Sequence, residues 1–205
     1  MNKQEQFLKV FKQAERKYSV SQTRLAGEGW QHDWQTLITT IMSAQSRDET
    51  TIPIAESLFK KYPSLNSLAN AHYQDVLTIL KSLNYNRTKA KHVIGAAGYM
   101  ITHFNGQVPD TIEQLIQIPG VGRKTANLVL TECHKKEGIC VDTHVHRIAN
   151  VLGWVNTKTP TQTEFALQKL APQSYWSRIN RTLVLWGKDV PGKDKERLLA
   201  KIKEQ

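Results

Sequence analysis

The sequence predicts an all-α protein, and three observations carry that prediction. Apolar residues recur at the three-to-four-residue spacing of a buried helix face in one segment after another. No stretch alternates polar and apolar residues with the period of a strand, and no internal repeat stands out. Between the periodic segments lie capping residues and Gly or Pro stops, such as Asn105-Gly106 and Tyr62-Pro63.

Taken in order, residues 4–18 read as a helix with Phe7, Val10, Phe11 and Ala14 on one face, followed by a loop over residues 24–29. Trp34, Leu37, Ile38, Ile41 and Met42 mark a buried helix ending near Ala44. Gln45-Ser46-Arg47-Asp48 is a polar break in which Asp48 is expected to cap the next helix. That helix turns Ile54, Ala55, Leu58 and Phe59 inward, and Pro53 falls early enough to be tolerated. Short helices are expected over residues 67–71 and 74–82. After the corner Leu83-Asn84-Tyr85-Asn86-Arg87, a long helix spans residues 88–104 with Ala90, Val93, Ile94, Ala97, Met100, Ile101 and Phe104 inward. Asp110 or Thr111 caps the following helix, which carries Ile112, Leu115 and Ile116. Asp142 precedes Val145, Ile148, Ala149 and Leu152 as a good N-cap. Thr161 or Thr163 is expected to open a further helix, Ser174 or Ser177 another through Trp186, and residues 193–203 form a last short amphipathic helix.

One corner differs from the others. Pro119-Gly120-Val121-Gly122 separates two helical stretches, because proline lacks an N–H and both glycines favour turns. The reading is helix, tight hairpin, helix. Two glycines allow a partner close to the backbone, and the second helix starts at the hairpin with its positive dipole end. An ordinary helix corner would show the same Gly-Val-Gly. An anion site, best suited to a nucleic-acid phosphate, gains weight from Arg123 and Lys124 just beyond it. A lysine in the first turn, where the dipole disfavours a cation, is a candidate amine nucleophile.

Bulk composition agrees. The 205 residues, 40% of them hydrophobic, can bury a core, and a net charge of +10 favours a polyanionic partner. Two cysteines, Cys133 and Cys140, make no disulfide framework. No apolar run reaches the ~18 residues of a membrane span, and the N-terminus lacks a signal core, so a reducing cytoplasm or nucleoid is the expected location. Cys133, His134, Cys140, His144 and His146 are close in sequence, but their spacing fits no standard zinc pattern, and no metal site is expected.

The run from Ile118 through Gly120-Val121-Gly122-Arg123-Lys124-Thr125 to Asn127, together with Val141-Asp142-Thr143-His144-Val145, closely resembles the helix-hairpin-helix DNA glycosylases of the endonuclease III family. Met42-Ser43-Ala44-Gln45, Lys89-Ala90 and Asn105-Gly106-Gln107-Val108-Pro109 match the same family, and the likeness runs from about Trp34 to about Gly187. The resemblance implies two helical lobes: a six-helix lobe over residues 29–136 containing the hairpin, and a second formed by residues 1–28 and 137–205. The active site would lie in the cleft between them. It implies a bifunctional DNA glycosylase and abasic-site lyase of base excision repair, acting as a monomer on double-stranded DNA with oxidised pyrimidines or abasic sites.

In that reading Lys124 attacks the sugar through a Schiff base, and Asp142 stabilises the developing positive charge. Gly120, Val121, Gly122, Arg123 and Thr125 form the DNA-binding hairpin. Gln45 and Tyr85 fill the gap left by the flipped base, Tyr85 standing where the family usually has leucine and Asn84 where it commonly has glycine. Many members carry four closely spaced cysteines near the end that hold an iron–sulfur cluster. Here no cysteine follows Cys140, and Pro191 stands near the first position, so no cofactor is expected. Two alternatives are a monofunctional glycosylase, which would lack the hairpin lysine, and a non-catalytic DNA-binding module, which would need only the hairpin.

Overall fold

The computed structural model describes residues 2–203. It separates into two compact units, one of Arg24–Lys136 and one of the residues up to Thr23 together with those from Glu137 onward. Among the described residues there are helices and turns but no strand. The first boundary falls before the expected residue 29 because Arg24 fastens the loop to the unit that follows it. Its Nε donates to the Glu28 carbonyl at 2.7 Å, its Nη1 pairs with Glu56 at 3.1 Å, and its guanidinium lies 4.2 Å over the Trp30 ring.

α1 (Lys3–Ser19) begins with a capping box in which Asn2 accepts from the Glu5 N–H at 2.8 Å and the Glu5 carboxylate accepts from the Asn2 N–H at 2.9 Å. The Arg24–Lys136 unit then contains α2 (Asp33–Ser43), α3 (Asp48–Lys61), α4 (Leu65–Ala69), α5 (Tyr73–Ile79), α6 (Asn86–Phe104), α7 (Ile112–Leu115) and α8 (Arg123–Glu132). That is seven helical segments where six were expected, α7 being little more than one turn. α2 is central. Thr36 through Met42 are all buried, as a helix that packs against α3, α6 and α8 requires. Its apolar side chains join Leu58, Val93, Ala97, Met100, Leu115, Ile118 and Val129 in one core.

Two expectations about α3 are corrected. Arg47, not Asp48, occupies the N-cap position; Asp48 lies in the first turn, where its carboxylate accepts from the Ala26 N–H at 3.2 Å. Pro53 lies inside the helix rather than in its first turn, so one backbone bond is forfeited there. The expected helix stop at Asn105-Gly106 is found: both residues have positive φ, 51° and 77°, and the Gly106 N–H reaches back to the Met100 carbonyl at 2.9 Å.

The other unit adds α9 (Thr143–Val151), α10 (Pro160–Leu170), a 3-10 turn at Gln173–Tyr175, α11 (Trp176–Asp189) and α12 (Lys195–Lys201). Phe7 and Phe11 of α1 are fully buried, and the Phe7 ring meets Trp154 edge-on at 4.8 Å. Ile148, Leu167, Ile179, Leu183 and Trp186 are buried in the same unit. α9 and α11 approach so closely at Gly187 that a Cβ there would sit 2.4 Å from His144 Nδ1. Thr159, with Pro160 at the first helical position, caps α10 in place of Thr161 or Thr163.

Candidate active site

The hairpin is built from its own backbone. The Ile118 N–H bonds to the Leu115 carbonyl at 3.1 Å and the Val121 N–H to the Ile118 carbonyl at 3.0 Å, closing two successive turns. Gly120 has φ 82°, and a Cβ at this position would lie 2.9 Å from the His92 side chain on α6. Both the left-handed backbone and the tight approach require glycine. Gly122 is different: it is extended and exposed, and a Cβ there would meet nothing within 4 Å. It leads into α8 without a side-chain cap, whereas Asn2, Ser64, Thr111, Asp142, Thr159 and Asp194 each cap their helices with a side-chain oxygen. No side chain of Gly122 therefore covers the positive end of α8, and α3, α5, α6 and α11 likewise start without a side-chain cap bond. Val121 and Thr125 are buried, so these two offer only backbone to a partner, while Arg123 is half-buried and Lys124 exposed.

Lys124 lies in the first turn of α8, in the Arg24–Lys136 unit; Asp142 lies in the other unit as the N-cap of α9. Asp142 Oδ1 accepts from the Val145 N–H at 2.8 Å, and the residue is half-buried. One and a half turns further on, burial pushes the Arg147 guanidinium pKa down, while the Asp142 carboxylate pulls it back up. The same guanidinium donates to the carbonyls of Gly187 at 3.0 Å, Val190 at 3.1 Å and Gly192, gathering the segment that follows α11. Sequence reasoning missed Arg147, because its partners lie 40 or more residues away.

Gln45 and Tyr85 are brought to one place. Both are exposed, both have left-handed backbones with φ of 53° and 57°, and the turns that carry them are hydrogen-bonded to each other. Asn84 Nδ2 donates to the Gln45 carbonyl at 2.6 Å, and the Asn84 N–H donates to Ser46 Oγ at 3.3 Å. Beneath them Lys89, only 4% exposed, donates from Nζ to Ser46 Oγ at 2.9 Å.

The comparisons with known proteins agree with one another. Residues 38–173 match the model of the HhH-GPD superfamily of base excision DNA repair proteins. Endonuclease III of Thermotoga maritima is 42% identical over 157 residues, covering 77% of this chain and 74% of that protein. This chain belongs to the endonuclease III family. Endonuclease III of Synechocystis sp. is 38% identical over 157 residues, covering 76% of this chain and 72% of that one. The solved structure of a trapped endonuclease III–DNA covalent intermediate has a TM-score of 0.85 at 26% identity, covering 92% of this chain and 88% of that chain. The helical architecture is thus that of the family.

The donor set does not fit the iron–sulfur cluster that the family resemblance implies. The chain has two cysteines, Cys133 and Cys140, and neither follows α11. Burial, with the Asp33 carboxylate, pushes the Cys133 thiol up to about 12, the reverse of a ligating thiolate. Among the described residues no three His, Cys, Asp or Glu side chains are grouped to hold a metal ion, and no helix is long and apolar enough to cross a membrane. Arg147, Tyr18 and Lys201 organise the segment instead, Tyr18 donating to Asp189 at 2.8 Å and Lys201 pairing with it at 3.7 Å.

Proposed function

We propose that Lys124 and Asp142 act on one nucleotide of a DNA duplex, Lys124 as the nucleophile and Asp142 as its electrostatic partner. The protein is a bifunctional DNA glycosylase and abasic-site lyase of base excision repair, with DNA as its partner. The observation that carries the assignment of Lys124 is its exposed position in the first turn of a helix whose cap is glycine. The phosphate that such a terminus attracts brings a sugar within reach of the amine.

A base inside a duplex is out of reach, so the nucleotide is flipped at a cost of a few kcal/mol that is least for a damaged base. The Lys124 amine attacks the anomeric carbon as the bond to the base breaks, and the base leaves with the bonding electrons and takes up a proton. Asp142 stabilises the positive charge that develops on the sugar. Ring opening gives an iminium between Lys124 and the sugar. The iminium acidifies the neighbouring sugar proton, and removal of that proton expels the 3′ phosphate by β-elimination. Water then releases the lysine. Every step runs on groups of this chain, the DNA and water, and we propose that no cluster or other cofactor takes part.

Gly120, Gly122 and Arg123, with the backbone of Val121 and Thr125, grip the phosphates beside the flipped nucleotide, and Gln45 and Tyr85 occupy the space it vacates. The substrate we assign is double-stranded DNA bearing an oxidised pyrimidine or an abasic site, bound by a single copy of the chain in the cytoplasm. Borohydride reduction of an incubation with abasic duplex is the test. The native protein should be trapped covalently on DNA, and Lys124→Ala should lose trapping and incision while still binding the duplex. Undiminished trapping by the variant would assign the chemistry to another amine. Base release from a lesion duplex with neither a trapped adduct nor incision would favour a monofunctional enzyme.

A further inference from the structure

A buried lysine is an expensive way to fill space, because burial disfavours its charged form and its three donors need acceptors. Lys89 is such a residue. It adjoins fully buried Ala90 and Val93 on α6, and burial pushes its ammonium down to about 8. Its Nζ donates to a single hydroxyl, Ser46 Oγ, which lies on a turn 43 residues earlier in the chain. The same oxygen accepts the Asn84 N–H, as its two lone pairs allow. Asn84 then returns across the gap with its side chain, Nδ2 to the Gln45 carbonyl.

The backbone at the two ends of this network is strained. Among the described residues four non-glycines have positive φ: Gln45, Tyr85, Asn105 and Lys135. Asn105 ends a helix, the common use of that conformation. Gln45 and Tyr85 instead present exposed side chains from adjoining turns, and such strain persists only where the surroundings hold it. Where the family commonly has glycine, the asparagine supplies a donor that glycine lacks.

We propose that Lys89, Ser46 and Asn84 form a brace that locks the Gln45 and Tyr85 turns into one preformed plug for the vacated base position. Ser46 and Asn84 are then positioning residues. The brace rests on the wedge reading of Gln45 and Tyr85 given above. Its value is pre-organisation: a plug already held in shape loses little conformational freedom when it enters the duplex. Specificity for a gap thus comes from rigidity in the turns that carry the side chains filling it.

The test uses the full chain and a duplex with one tetrahydrofuran abasic site and 2-aminopurine as the opposite base. This probe keeps the assay independent of which damaged base is preferred. Lys89 is too deeply buried for the test, so the variants are Ser46→Ala and Asn84→Gly, with Ser46→Thr as the conservative rescue. Each loss variant should bind the abasic duplex about tenfold more weakly, within the range expected when a stacking contact is disordered. At saturation each should lose at least about half of the fluorescence change of the native complex, and undamaged duplex should be bound as before. Ser46→Thr should restore both readouts. In a Gln45→Ala background Asn84→Gly should add less than it does alone, because residues acting through one another are not additive. If Tyr85→Ala and Gln45→Ala reduce gap preference while Ser46→Ala and Asn84→Gly match the native protein, the brace is wrong and the wedge stands. If neither Tyr85→Ala nor Gln45→Ala has an effect, the wedge reading fails and the brace with it. A lowered melting temperature for Ser46→Ala with unchanged fluorescence would reduce the network to a fold contact.

Discussion

Asp142 is the N-cap of α9, and substitution can separate that observed duty from the catalytic one proposed for it. As N-cap it accepts the Val145 N–H through Oδ1, and an asparagine at this position offers an equivalent oxygen. Asp142→Asn should therefore change stability by less than about 0.5 kcal/mol, since the two residues cap comparably. Activity depends on the charge, and losing an electrostatic partner of the transition state lowers kcat by about a hundredfold or more. Thermal unfolding beside single-turnover base release checks this, and activity that falls only in step with stability would make Asp142 a cap alone. The cap and the Lys124 position were both legible in the sequence because each is a local pattern: Asp before an apolar helical run, Lys after a glycine hairpin. Lys89 was legible only as part of the family match. Its partner stands 43 residues away, and nothing in the local pattern marks a lysine for burial.

At the level of elements, the sequence located the helices but misassigned several starts, for identifiable reasons. Thr159 caps α10 because Pro160 suits the first helical position, a preference that outweighs the later threonines. Asp48 falls in the first turn of α3 because its carboxylate is engaged by the Ala26 N–H. The segment after α11 is held by noncovalent contacts. Arg147 ties the carbonyls of Val190 and Gly192 there to that of Gly187 within α11, Val190 is 2% exposed, and Asp194 caps α12 through the Arg197 N–H at 3.0 Å. Arg147→Met should keep the aliphatic stem and lose the charged donor, at about 2 kcal/mol, the scale of a hydrogen bond to a charged group. Hydrogen exchange should accelerate at the Val190 amide, which bonds to the Trp186 carbonyl, and remain native across α8. Iron analysis of the unaltered protein, purified anaerobically, should find no stoichiometric iron. Iron at four atoms per chain, or unchanged exchange in Arg147→Met, would mean that something else organises this segment.

For the whole molecule, binding divides into a charge-dependent part and a shape-dependent part. The net charge of +10 acts on phosphates in any sequence, as does the start of α8 in the role proposed for it, and neutralising phosphates releases counterions, so this part should weaken steeply with salt. Gln45 and Tyr85 carry no charge, and the wedge role proposed for them confines their action to places where a base is missing from the stack. The two parts should therefore separate in a salt titration. Tyr85→Ala should cost about 1–3 kcal/mol on abasic duplex, the scale of one base–aromatic stack, and much less on intact duplex. It should leave the slope of log affinity against log salt unchanged. Arg123→Ala should behave in the opposite way, weakening both duplexes alike and flattening the slope by about one unit. Measured together, the two variants form a cross-check that neither provides alone. Equal losses on damaged and intact duplexes for Tyr85→Ala would remove it from the gap, and the intercalating group would then be sought first at Leu83. That residue is only 3% exposed, so it could enter a duplex only if the Asn84–Tyr85 turn opened.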